Sequence, residues 1–327
     1  MKLMKKNILI VLFIVISFHC QSMPQLVITN YQQIFIPGFT IKGELRIAIR
    51  QFDNNGHLYY LIVNPYNFVT SIVKVGSLYS RNPVSDTSSH PGYFQWEVIK
   101  ETPYVKALWS FTKYHQLEND GLTHAEHSVQ HSLFLTVDMC PSIKPFESKF
   151  FQALVKKGKL IQGGFPVAIS ISGLWILGHE QEFQWLLKMQ SQHLLNITWV
   201  NHSFSHLYFA DLPNKNNFLL FSQTNLDSEI LTSERLLIEA HQTPSVFIRF
   251  PGLVANKNLM RKVRHYGLIP LGADAWLAKN EDPINGSLIL VHGNGNEHEG
   301  IEKVMPILQE DWHWLPIDRA FLNGKSN

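Results

Sequence analysis

Two imidazoles four residues apart, His202 and His206 in the run Asn201-His202-Ser203-Phe204-Ser205-His206, can close on one divalent metal ion. If the segment turns helical after a strand, the i, i+4 spacing sets both rings on one face. Zinc with an open coordination position suits such a pair, and a zinc ion there polarises a carbonyl and acidifies a bound water. The two histidines have company. Asp138, Arg249 in Arg249-Phe250-Pro251, Asp274 in Asp274-Ala275-Trp276, and His292 each stand at the end of an apolar run. Asp138 can serve as general base for the water or join the metal as a carboxylate ligand. Arg249 can pair with Asp138 and keep it ionised and oriented. His292 can protonate a leaving amine, with Asp274 as its orienting partner. Singly, each has a structural reading: a cap, a surface ion pair, a strand-end polar residue, a glycine-rich turn. As a set they suit metal-assisted hydrolysis of an amide or ester.

The elements that must position these groups change character along the chain. From Ser132 onward, short apolar strand candidates (133–138, 167–172, 197–201, 246–250, 268–273, 288–292 and 314–318) alternate with helical stretches (146–157, 181–189, 228–241, 258–266 and 301–308). Such alternation implies a parallel sheet or barrel, in which functional residues gather at the carboxyl ends of strands. Asp138, His202, Arg249, Asp274 and His292 all fall at such ends. Before Ser132 the pattern is strand-like, at 26–28, 34–36, 45–49 and 58–63, with a hairpin turn predicted at Asp53-Asn54-Asn55-Gly56. Residues 96–99 and 107–111 read as two later strands. Tyr59, Tyr60, Tyr66, Tyr79, Tyr93, Phe94 and Trp96 read as filling a β core or docking against the barrel, with sugar stacking as the alternative. His124, His127 and His131 read as linker residues, with a second metal site as the alternative.

Composition narrows the function classes. The 327 residues are 45% hydrophobic and 17% charged, as in an ordinary globular protein. A net charge of +2, with no basic run beyond the amino terminus, argues against a nucleic-acid partner. Lys2, Lys5 and Lys6 precede an apolar run over residues 8–16, and the chain turns polar over 17–22. This predicts a secretory signal over residues 1–22, too short to span a bilayer, and hence a secreted or periplasmic protein with no stable membrane insertion after cleavage. Cys140 then remains as the single cysteine, so an internal disulfide is excluded and the core must carry stability. The expected organisation is a signal over 1–22, a β-rich region over 23–130 and a catalytic domain over 131–327.

The chemistry-bearing stretches also occur in a telling order. Thr136-Val137-Asp138-Met139-Cys140, His202 to His206, Arg249-Phe250-Pro251, Asp274-Ala275-Trp276 and Leu290-Val291-His292 resemble the successive motifs of the polysaccharide deacetylase family (NodB homology domain, carbohydrate esterase family 4). The resemblance covers residues 133–321 and leaves the amino-terminal third unexplained. It implies an α/β fold, a distorted seven-stranded (β/α) barrel, and a metal-dependent hydrolase removing N-acetyl groups from a polysaccharide, cell-wall glycan foremost. In that family's terms Asp138 is the base, His202 and His206 are metal ligands, and Arg249 orients the base. Asp274 tunes the acid, and His292 is the acid itself. One departure matters most. The family's second aspartate, a third metal ligand, is Met139 here, and a thioether suits zinc poorly. Either Asp138 moves onto the metal, a water fills the gap, or the metal is lost. Cys140 is then either a recruited thiolate or a buried inert thiol. His292 is followed by Gly293 where the family has aspartate. The alternative reading is a catalytically inactive, deacetylase-like carbohydrate-binding protein.

Overall fold

The computed structural model describes residues 26–79, 94–126 and 130–322. The expected signal segment, Tyr93 and His127 lie outside the described residues. Among those residues no helix is long and apolar enough to cross a membrane.

The amino-terminal region opens with an antiparallel meander in the order β1-β2-β3-β4: β1 (Ile28–Phe39), β2 (Leu45–Asn54), β3 (His57–Val63) and β4 (Thr70–Lys74). The β2–β3 hairpin closes with Asn54 paired to His57. Asn55 and Gly56 both take positive φ (50° and 75°), as a two-residue turn matching the strand twist requires. Beyond β4 the structure departs from the expected strands. Residues 96–99 and 107–110 belong to helices, α1 (Phe94–Ile99) and α2 (Pro103–Ser110), with Phe111 capping α2. Short apolar runs fit either period. In α2 the deciding feature is its buried face: Tyr104, Val105, Ala107 and Leu108 lie on one side of a helix, behind Pro103 in the first turn.

From Ser132 the chain builds the expected α/β fold. The elements are β5 (Ser132–Met139), α3 (Ser148–Gly158), β6 (Phe165–Ile171), α4 (Gly173–Gly178), α5 (Glu180–Ser191), β7 (Leu195–Asn201), α6 (Leu226–Glu239), β8 (Phe247–Ile248), α7 (Lys257–His265), β9 (Ile269–Pro270), β10 (Ala275–Trp276), β11 (Leu288–His292), α8 (His298–Ile307) and β12 (His313–Trp314). Seven parallel strands run in the order β10-β11-β5-β6-β7-β8-β9, and β12 adds to β5. Each predicted strand has its counterpart; β10 is an additional one.

The strand period of two divides β5 cleanly. Leu133, Leu135, Val137 and Met139 pack with Phe150, Phe151 and Leu154 of α3 in the helix-side core. Phe134 belongs to a second core with Phe247, Ile269 and Leu288, residues at the starts of their strands, and with Ile47, Ile49, Leu61 and Val63 of the antiparallel sheet. The meander therefore packs on the barrel rather than hanging beside it. A buried ionic junction reinforces the contact. Arg50 of β2 meets Glu234 of α6 in a bidentate pair (Nε–Oε2 2.7 Å, Nη2–Oε1 2.9 Å), and the Tyr31 hydroxyl donates to Glu234 Oε2 at 2.9 Å.

The strip 117–125 completes the barrel. Ala255 N donates to Leu117 O (2.8 Å), Leu122 N to Pro270 O (3.0 Å), Gly272 N to Leu122 O (2.8 Å) and Ala125 N to Gly286 O (3.0 Å). It thus ties the chain at β9 to the chain entering β11, across the gap between the two ends of the sheet. The approach is close enough that a Cβ on Gly121, at φ 107°, would lie 2.4 Å from Pro270 O.

Candidate metal centre and active-site cleft

Five of the six residues singled out from the sequence converge at the carboxyl ends of β5, β7, β8 and β11. Four of these, Asp138, His202, His206 and His292, line a cleft of ≈ 580 Å³ with Cys140, Tyr208, Trp276 and Glu297 among its walls, and Arg249 lies behind Asp138.

The histidine loop reaches its geometry without a helix. Residues 202–206 leave β7 as an irregular turn in which Ser203 and His206 take positive φ (63° and 49°). The rings nevertheless lie 4.7 Å apart, centroid to centroid. The turn is held from outside. Glu229 of α6 accepts from Phe204 N (3.1 Å), Ser205 N (2.9 Å) and Ser205 Oγ (2.6 Å). Asn201 Oδ1 accepts from Ser203 N at 2.9 Å, and Ser233 Oγ donates to Ser203 O at 2.6 Å.

His202 Nδ1 lies 2.9 Å from Arg249 O, an acceptor, so the ring proton sits on Nδ1 and the Nε2 lone pair faces the cleft. There it meets Cys140 Sγ at 3.4 Å. The ligand atoms of Cys140, His202 and His206 all lie within 4.8 Å of one another. Zinc fits this set: one thiolate, two neutral imidazoles, and a backbone carbonyl that fixes one tautomer. Burial opposes ionisation of the Cys140 thiol, yet His206 and His202 hold it well below its usual range. Burial likewise lowers His206, and Cys140 more than reverses that.

Met139 points the other way. It is fully buried on the helix side, where its Sδ would meet a Cβ placed on Gly293 at 2.7 Å. Asp138 lies 3.9 Å (Oδ2) from His202 Nε2, outside bonding range, and its Oδ1 lies 3.7 Å from Arg249 Nη1. Arg249 is anchored by its other nitrogen, Nη2 donating to Thr136 Oγ1 (2.9 Å) and Gly272 O (3.1 Å). Burial raises the Asp138 carboxyl, but the Arg249 guanidinium foremost, with His292, outweighs it and holds it below the usual range.

His292 faces Asp138 from the paired position of β11. Its Nδ1 lies 2.9 Å from Glu297 Oε2. Burial opposes its protonation, but contacts with Cys140 and Glu297 prevail and push it up to about 10. Asp274 is elsewhere. Its Oδ2 lies 2.6 Å from His124 Nδ1 and accepts from Ser287 Oγ, while Oδ1 accepts from Leu288 N. The structure thus ties His124 to the barrel through Asp274 and stacks His131 on Trp312 at 4.1 Å.

One participant, Glu297, escapes a reading of the sequence alone, and Cys140, for which the sequence leaves a recruited thiolate or an inert thiol open, stands beside the two histidines. Cys140 follows the last residue of β5, two positions after Asp138, and lines the cleft with it. Glu297 follows a four-residue turn after His292, and no spacing rule singles it out.

A family model described as RP012 protein N-terminal domain matches residues 29–105, the meander and the start of α2. Among solved structures, the chain is similar to a family 4 carbohydrate esterase from Bacillus anthracis (19% identity, 66% of this chain, 89% of that chain, TM-score 0.44). It is also similar to the chitin deacetylase from the fungal pathogen Colletotrichum lindemuthianum (13%, 64% and 94%, 0.41). A third is a pseudoenzyme of carbohydrate esterase family 4 from Bacillus anthracis (12%, 61% and 68%, 0.41).

Proposed function

We propose that the protein is a zinc-dependent hydrolase removing N-acetyl groups from an N-acetylated polysaccharide, with cell-wall glycan as the foremost substrate. The observation that carries this is the meeting in one cleft of Cys140, His202 and His206 with the Asp138–Arg249 and His292–Glu297 pairs. When bound, the ion supplies Lewis acidity toward the acyl carbonyl oxygen and makes a water easier to deprotonate. Asp138 takes the proton of the attacking water, and Arg249, anchored on Thr136, keeps that carboxylate ionised. On the facing strand, His292 gives a proton to the amide nitrogen as the C–N bond breaks, releasing acetate and a free amine. Tyr208, 59% exposed, and the half-buried Trp276 line the cleft and offer ring faces to a sugar. The basic, then apolar, start of the chain supports export to the compartment where such glycans lie.

The test is elemental analysis of the purified full chain beside His202→Ala and Cys140→Ala, followed by acetate release from chitooligosaccharides and peptidoglycan fragments. About one zinc per chain, as a three-residue site predicts, should be lost in both variants. Acetate release should stop with a chelator and return with zinc. A chain that takes up no zinc, or holds zinc and releases no acetate, belongs to the rival class of carbohydrate-binding proteins on a deacetylase-like scaffold.

A further inference from the structure

We propose that Glu297, rather than Asp274, is the positioning residue for His292, clamped in that role by the indole N–H of Trp276. The inference rests on the hydrolase reading for its kinetic consequence, but its structural content stands apart from it.

Asp274 is out of reach and already engaged. It accepts from Leu288 N at 2.9 Å, and Leu288 is the first residue of β11 while His292 is the last. Four residue steps along the strand separate them, roughly 13 Å at about 3.3 Å per step. The remaining contacts of Asp274, to His124 and Ser287, face the strip that completes the barrel.

Glu297 has the opposite placement. The turn after β11 is tight: Gly295 takes φ 76°, and a Cβ there would lie 2.6 Å from Pro145 O. That turn brings Glu297, at the start of α8, back beside the strand it has just left. Its Oε2 lies 2.9 Å from His292 Nδ1 and accepts from Trp276 Nε1 at 2.7 Å. Trp276 is itself fixed, pairing with Leu290 in the neighbouring strand. Lys279 Nζ covers its ring at 3.5 Å from the centroid, which places a cation above the indole whose N–H holds the carboxylate. Trp276 Nε1 thus donates to one carboxylate oxygen of Glu297, and that same oxygen stands at ion-pair distance from His292 Nδ1, a buried ring nitrogen with no aligned hydrogen bond among the described residues. An orienting carboxylate of this kind keeps the proton on the near nitrogen and turns the far one to the substrate.

The experiment has two arms on the full chain. In the first, long-range proton–nitrogen NMR on zinc-treated, ¹⁵N-histidine-labelled protein at one fixed pH reads the His292 ring nitrogens, assigned with a His292→Gln variant. Wild type should show a protonated Nδ1. Glu297→Ala should lose that fixed state, Glu297→Gln should partly keep it because an acceptor remains, and Trp276→Phe should broaden it. An unchanged ring in Glu297→Ala, or a ring that responds to Asp274→Asn instead, overturns the proposal. In the second arm, Glu297→Ala should lower kcat about tenfold to a thousandfold with KM nearly unchanged. A loss confined to KM would assign Glu297 to substrate binding and overturn its positioning role. If the wild type releases no acetate at all, the hydrolase reading fails, and the ring nitrogens still decide whether Glu297 or Asp274 holds His292.

Discussion

The described residues include two buried arginine–carboxylate pairs, and they are built to opposite standards. At the junction between the meander and the barrel, Arg50 and Glu234 have side chains 0% and 1% exposed. Both arms of the guanidinium are engaged: Nε and Nη2 grip the carboxylate, and Nη1 donates to Ile49 O and Tyr266 O. Glu234 collects a further bond from Tyr31 and a long one from Asn201. In the cleft, Arg249 and Asp138 are nearly as buried, at 0% and 5%, but stand 3.7 Å apart. Arg249 Nε and Nη1 and Asp138 Oδ1 make no hydrogen bond in the protein. A buried polar atom left unpaired costs about 1–3 kcal/mol. The junction is saturated and therefore fixed. The cleft keeps bonding capacity open, as the proposed hydrolysis would require where charge shifts, a local conflict of the kind that marks functional sites.

The contrast can be broken by substitution. Glu234→Leu leaves Arg50 buried without its partner and should cost roughly 3–5 kcal/mol of stability, read as a lowered urea midpoint. Asp138→Asn should cost about 10²–10⁴-fold in acetate release while the same midpoint holds or rises. If Asp138→Asn unfolds the chain as readily as Glu234→Leu, the two pairs do the same job and the distinction fails. Asp318 sharpens the comparison, because burial leaves its carboxyl raised to about 6, with the nearby backbone and Arg319 offsetting burial only in part. The folded pKa then exceeds the unfolded one. The stability tied to its neutral form is full below about pH 4 and is lost as the pH climbs through about 6. Asp318→Asn should therefore stabilise the protein by roughly 1–3 kcal/mol at pH 7.5 and by almost nothing at pH 4, measured as paired denaturation curves.

The barrel was legible because its strands are apolar on both sides and its helices are not, so each run from residue 133 onward announces itself. The amino-terminal third was less so. Trp96 to Ile99 and Ala107 to Phe111 are too short to show a period, and what makes them helical is the core that Tyr104 and Leu108 enter. In the cleft, residue types at strand ends pointed to Asp138, His202, His206, Arg249 and His292. The helix that would set His202 and His206 on one face is absent at 202–206, where Glu229, some 25 residues away in sequence, holds an irregular turn instead. Matching motifs residue by residue directed attention to Met139, while the cleft-lining position belongs to Cys140. Glu297 and Asp274 lie at opposite ends of β11, one beside His292 and the other on Leu288 N, a placement that only the folded chain displays.

The strip that bridges the sheet ends sets an order of assembly. His124 and Asp274 are 150 positions apart along the chain, and Asn119 binds both the N–H and the carbonyl of Ala273 from a similar distance. The first-synthesised partner must wait for nearly the whole barrel to emerge before this gap can close, a late step with a large loop to organise. A fragment starting at residue 131 would keep every residue lining the cleft and lack the stave that joins β9 to β11. Its unsatisfied backbone would invite pairing with other chains. A circular permutant that begins at 131 and carries 26–126 behind residue 322 would restore the stave while reversing its timing.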